Sequence, residues 1–386
     1  MKKWCTLIIS FFLVLMTSKV VYAEDGVDKQ KIDNSNQIQR LYQYMDNMKT
    51  NEEIMNGLNP KDYVESYLKD GKDPISLDKL VKAFIGVFVK EVQAALKLMI
   101  SVIILAIIST LLKNLQGAFS NESISNIAFY ACYAVMILVL SKSFLVSVNL
   151  AKETIQTLSD FTAVLLPALV LLLSTAGGIA QATTMDPIVL GAVSLTPRFY
   201  VDVLIPAILM IFVLGFVNNI SNEHKIDGLV KVAKQFVLWG QGIVLTIFIG
   251  LLTVRGIASN TIDAVTLKTA KFAVDNFIPI VGKALSDAIA TVAGYSLLLK
   301  NAISSVGLLI MIIVMLFPII KIVVMVFIYK ISAAVIEPVA DKRIVSCITT
   351  AGDSLVLIMS SLISITVMFF VMTALMASAG KFVVGG

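Results

Sequence analysis

The sequence predicts an all-α, polytopic helical membrane protein, and three observations carry that class. Of 386 residues, 58% are apolar and 15% charged, with a mean hydropathy of +0.88. Soluble domains average about 45–50% apolar and about 25% charged. Apolar runs long enough to cross about 30 Å of hydrocarbon recur from residue 96 onward. Three cysteines are too few for a disulfide scaffold, and so apolar a chain is not disordered. The net charge of +5 is no nucleic-acid footprint, because no basic cluster with interleaved aromatics accompanies it.

Lys2 and Lys3 precede a short apolar core from Cys5 to Met16, and Val21-Tyr22-Ala23 offers a cleavage site before Glu24. Residues 1–23 therefore read as a signal peptide, with an uncleaved anchor as the other reading; both put the next segment outside the cytoplasm. Residues 24–80 carry twelve acidic and eight basic groups and few large apolar side chains. Ile38, Leu41, Tyr42, Met45 and Met48 have the spacing of one weak amphipathic helix. Asn59-Pro60 and Gly71 to Pro74 punctuate the rest. So polar a stretch builds no core of its own. It is an exported tail: a partner-docking or covering element, or a loose linker.

Residues 81–386 form the helical transmembrane domain. Its approach is an amphipathic helix after Ser76, with Leu77, Leu80, Phe84 and Phe88 on one face, suited to the headgroup region. About seven spans are expected, near 96–112, 124–146, 161–180, 199–219, 235–254, 303–329 and 353–376. The run 303–329 contains Pro318 and is one tilted helix or a broken pair. Expected helix breaks are Pro167, Gly177, Gly178, Asp186, Pro187, Pro206 and Pro318. The piece from Asp186-Pro187 to Thr196-Pro197 is too short to span and suits a re-entrant or interfacial half-helix. Residues 263–300, moderately apolar and rich in Ala, suit a second such region. Loop Lys and Arg divide evenly between the two sides, so the sidedness rests on the signal peptide.

Ionisable groups at membrane depth are the functional candidates in such a protein. They are Asp202, early in the fourth span, Lys321 inside the sixth, and Asp353 at the opening of the seventh. The only histidine, His224, has no ligand-spaced partners, so no metal site is expected. No Walker lysine loop, HExxH or GxSxG occurs. No catalytic residue, cofactor or nucleic-acid partner is expected, and the chain reads as a non-enzyme.

The stretch from Thr269 to Gly282, with Asp275, Asn276, Phe277 and Pro279 at its centre, resembles a signature of the stage III sporulation protein AE family. Ser286-Asp287 and Ser296 to Ala302 continue it, and the resemblance extends over nearly the whole chain, most weakly in 24–80. It implies a multi-pass protein of the mother-cell membrane around the forespore. It also implies partners: other stage III sporulation membrane proteins of one complex and a forespore membrane protein, forming a channel or feeding complex. Asp275, Asn276, Phe277, Pro279, Gly282 and Asp287 are then a candidate functional or packing motif. A homo-oligomer is compatible with this. The competing expectation, from the charges alone, is an autonomous secondary transporter with Lys321 and acidic residues at its site.

Overall fold

The computed structural model describes residues 37–46, 63–66, 77–116, 122–220, 226–277 and 282–379. Seven long helices make up most of these: α1 (Leu77–Gln116), α2 (Glu122–Thr175), α3 (Ile179–Arg198), α4 (Ile205–Ile220), α5 (Asp227–Phe277), α6 (Gly282–Ile336) and α7 (Lys342–Ser378). A π-helical turn, Phe199–Leu204, joins α3 to α4. Two short helical pieces, 37–46 and 63–66, come from the tail. The signal segment 1–23, His224 and Pro279 lie outside the described residues, as do the side chains of Asp186, Asp275, Asn276 and Phe277.

Among the described residues, six stretches are long and apolar enough to cross a membrane: Phe84–Leu112, Phe129–Thr175, Gly191–Asn219, Asp227–Val254, Ala290–Ile336 and Lys342–Ser378. The difference from about seven has a plain source. The runs 124–146 and 161–180 lie mostly on one helix, the 54-residue α2. The polar stretch between them, Lys152 to Asp160, continues the helix instead of forming a loop. Likewise the amphipathic helix after Ser76 and the run 96–112 fuse into α1.

The expected breaks behave differently according to their backbone chemistry. Gly177 does end α2: its φ of 93° is open to glycine and strained for other residues, and Gly178 N–H closes on the Leu173 carbonyl at 2.9 Å. Asp186 and Pro187 are a correction, since both lie inside the continuous α3 rather than opening a separate half-helix. Pro167 and Pro318 also sit inside unbroken helices. A proline removes one backbone donor, and a bilayer helix tolerates that where neighbours satisfy the freed carbonyl. At Pro206 the missing donor leaves the Asp202 carbonyl without its usual partner. The chain widens there, and Ile205 N–H reaches back five residues to Tyr200.

Contacts fix how the helices pair. On α2 and α6, Ser143 meets Tyr329 and Leu165 meets Gly307, so the two run antiparallel in one register over about 33 Å. Helix α7 also runs antiparallel to α6, through Met311 with Thr373 and Lys330 with Asp353. It is antiparallel to α4, through Gly215 with Thr350, and parallel to α5, through Gln241 with Ser361. Phe144 of α2 stacks on Phe212 of α4 at 3.9 Å. Helix α7 is the most buried of the six spans and forms the bundle's axis.

Two helices outrun this bundle. In these registers the C-terminal end of α7 stands level with Lys300 of α6 and about residue 258 of α5. The remaining turns of α5 and α6, about 30 Å of helix each, extend past it toward the connection 278–281. Most of the Thr269 to Gly282 stretch therefore lies at the tip of a helical hairpin, and Asp287 is exposed close to that tip, in the second turn of α6.

Candidate functional site: a polar seam on α7

Helix α7 carries polar side chains at spacings of three and four: Ser346, Thr350, Asp353, Ser360, Ser361 and Ser364. That spacing puts them along one side of a helix, here over about 27 Å. Each meets a polar group from another helix. Ser346 Oγ donates to Asn219 Oδ1 at 2.9 Å. Gln241 uses both ends of its amide, with Nε2 donating to Ser361 Oγ at 2.6 Å and Oε1 accepting from Ser360 Oγ at 2.8 Å. The Tyr200 and Ser364 hydroxyls pair at 2.6 Å. Gln241 and Tyr200 are buried, so an unmatched polar group there would be costly; matched, each pair holds two helices together.

Asp353 sits within this seam. Its Oδ2 faces Lys234 Nζ of α5 at 3.5 Å, and its Oδ1 pairs with Lys330 Nζ of α6. One carboxylate thus ties three helices. All three groups keep about a third or more of their surface exposed, so solvent weakens the pairing. The structure does not bring Lys321 to Asp353. Lys321 lies nine residues along α6 from Lys330, about 13 Å, with its ammonium 5.6 Å from the Phe317 ring centre. Asp202, on the π turn, stands at nearly the same height as Lys321 but is exposed on the bundle's surface.

The close approach that allows the seam is glycine-dependent. A Cβ on Gly215 would sit 2.1 Å from Thr350 Cγ2, so α4 and α7 cross at this distance only because no side chain intervenes. The α4–α5 turn is closed by Asn218, which donates to Asp227 Oδ1 and accepts from Ile226 N–H, both at 2.6 Å. Across the same end, the Arg343 guanidinium lies over Phe129 at 4.2 Å.

At the opposite end, sequence reasoning missed one feature and had left a second among its alternatives, the tail as a covering element. Lys300 is fully buried on α6 and donates to the Ala379 carbonyl that terminates α7. Such a cation satisfies a helix-end carbonyl and its partial charge together. The tail pieces are also docked. Leu41, Met45, Tyr63 and Val64 are buried, Tyr44 stacks near Phe161, and the Tyr63 and Ser305 hydroxyls lie 3.1 Å apart. Burial, and then the Glu65 carboxylate, push the Tyr42 phenol above its usual value; burial and Asp160 do the same at Tyr44.

The family model of stage III sporulation protein AE matches residues 58–380. The chain belongs to the stage III sporulation protein AE family. It is also 32% identical over 327 residues to Stage III sporulation protein AE of Bacillus subtilis (strain 168), covering 84% of this chain and 82% of that protein. No solved structure matches the chain. The family's matched region thus takes in the short 63–66 piece, all six spans and the seam, and ends at Ala379 and its neighbour, where Lys300 closes α7.

Proposed function

We propose that this chain is a non-enzymatic membrane subunit of a sporulation complex that joins the mother-cell and forespore membranes and supports the forespore after engulfment. The observation that carries the proposal is family membership over almost the entire described bundle. The bundle is compatible with it: its deep polar groups are arranged as helix-to-helix ties along α7 rather than converging on a reaction centre. In this reading the tail lies outside the cytoplasm, in the space between the membranes. The α5–α6 hairpin projects from the same end of the bundle and presents Asp275 to Gly282 to partner subunits. The lone-transporter reading needs Lys321 joined to an acid, and the α6–α7 register holds it about 13 Å along the helix from the lysine that meets Asp353.

The test is a tagged purification from sporulating cells in mild detergent. Several sporulation membrane proteins should co-purify in fixed ratio, and recovery of the chain alone as a small homogeneous particle would contradict the reading. In a sporulation assay, Asp275→Ala and Pro279→Ala should impair more than Lys231→Ala; equal tolerance of all three would remove the motif's assigned role.

A further inference from the structure

Four charges on the outer face of α2 and α3 find no opposite charge within the chain. On α2, Glu153 is exposed and Lys152 half-buried. Arg198 ends α3 and Asp202, four residues on, lies in the π turn, and both are exposed. Among the described residues none of the four is in an ion pair. The two elements adjoin, since Ser159 Oγ of α2 donates to the Val193 carbonyl of α3 at 3.2 Å. Gln156 and Asp160, hydrogen-bonded to each other at 2.8 Å, continue the exposed stripe of α2.

The helix registers give the heights of these charges. Glu153 stands level with Ile319 of α6, and Ile319 stands level with about Ser364 of α7. Ser364 pairs with Tyr200, which sits midway between Arg198 and Asp202 in the chain. Arg198 is therefore within about 3 Å of the height of Glu153, and Asp202 within about 3 Å of that of Lys152. This level is close to the middle of the 37-residue α7. Unpaired ions at such depth are costly against lipid and need cover.

The face itself says what covers it. Its four charges are two of each sign, so a partner bearing one sign is repelled by half of them, and a partner bearing both is matched. Apolar side chains share the face: Leu145, eight residues before Glu153, is 47% exposed, and Leu195, three and seven residues before Arg198 and Asp202, is 68% exposed. They bracket the charges in height and suit packing that seals ion pairs from water. A twofold axis along the membrane normal leaves every residue of a second copy at its own height. It sets Arg198 opposite the second copy's Glu153 and Asp202 opposite the second copy's Lys152, and each contact occurs twice. Asp160 lies about 10 Å nearer the tail, beside Tyr44, and takes no part in this pairing.

We infer that this face docks a second copy of the chain, through reciprocal Arg198–Glu153 and Lys152–Asp202 ion pairs. The contact stands apart from the sporulation role, because unpaired charges at this depth need cover in any bilayer.

The test co-expresses two full-length copies with different tags in sporulating cells, each with Cys5, Cys132 and Cys347 replaced by Ala. With Arg198→Cys in one copy and Glu153→Cys in the other, a short bifunctional thiol reagent should join the two in intact membranes. Ile243→Cys in both copies, at nearly the same height on the exposed apolar face of α5, should give far less product. Without added cysteines, Arg198→Glu should lower recovery of one tagged copy with the other by about tenfold, and adding Glu153→Arg should restore it. Cross-linking no greater than that of Ile243→Cys, a loss in Arg198→Glu that Glu153→Arg does not recover, or cross-linking of the face only to a different protein would overturn the inference. If other sporulation proteins co-purify and the copies do not cross-link, this contact falls and the subunit reading stands. If the copies cross-link and nothing else co-purifies, the reverse holds.

Discussion

Two polar stripes cross the bundle, one on α7 and one on α2, and they meet opposite fates. The α7 stripe is turned inward, and Ser346, Asp353, Ser360, Ser361 and Ser364 each find a polar partner on another helix. The α2 stripe is turned outward, and Gln156 bonds along its own helix to Asp160. Where a polar group lies deep in a membrane protein and has an internal match, it joins helices. Where it faces out, its surroundings must supply what lipid does not. The first stripe therefore governs stability and the second governs what the bundle borders.

That contrast can be broken most forcefully where the inward stripe is tightest. Gly215→Leu would place a side chain where Thr350 already lies, and should cost about 3 kcal/mol or prevent folding, read as lost monodisperse yield and a lower Tm in detergent. An unchanged Tm would mean that α4 and α7 do not cross so closely. Next is Gln241→Leu, which removes the amide that ties α5 to Ser360 and Ser361 while both hydroxyls keep the Leu357 carbonyl, and which should cost about 1 kcal/mol in the same assay. Asp353→Asn should cost less, about 0.5 kcal/mol, because its lysine partners are partly exposed. It should also reduce the salt sensitivity of the Tm.

The smallest expected effect concerns the tail. The Tyr42 and Tyr44 phenols are raised above 10.0 in the folded chain, so their neutral forms favour docking. Such groups contribute stability that is complete below the unfolded value and is lost as pH rises through the folded one. The 37–46 helix should stay protected from proteolysis at neutral pH and become cleavable only above about pH 10. Release near pH 8 would show that the tyrosines are not held in this way.

Much of the architecture was legible before the fold was known, and the misses have physical causes. The membrane class followed from composition, and Gly177-Gly178 marked a true stop because a positive φ is a local property. The α2 fusion was hidden because Lys152, Glu153 and Asp160 look like loop residues, and only their outward placement on a continuous helix explains them. Lys300 was hidden for the opposite reason: nothing local shows that a distant helix end will offer it a carbonyl. The seam was within reach, since the spacing of Ser346, Thr350, Ser361 and Ser364 along α7 could be counted in the sequence. Its partners Asn219, Gln241 and Tyr200 could not, because they depend on the registers between helices.

The most direct measurement sets one residue from each stripe side by side: Gln241→Leu and Gln156→Leu, compared by thermal unfolding of the purified chain in detergent. Gln241→Leu should lower the Tm by about 2 °C, as expected for about 1 kcal/mol in a chain this large, and Gln156→Leu should leave it unchanged. Equal losses, or a larger loss for Gln156→Leu, would contradict the assignment of one stripe to the interior and the other to the surface.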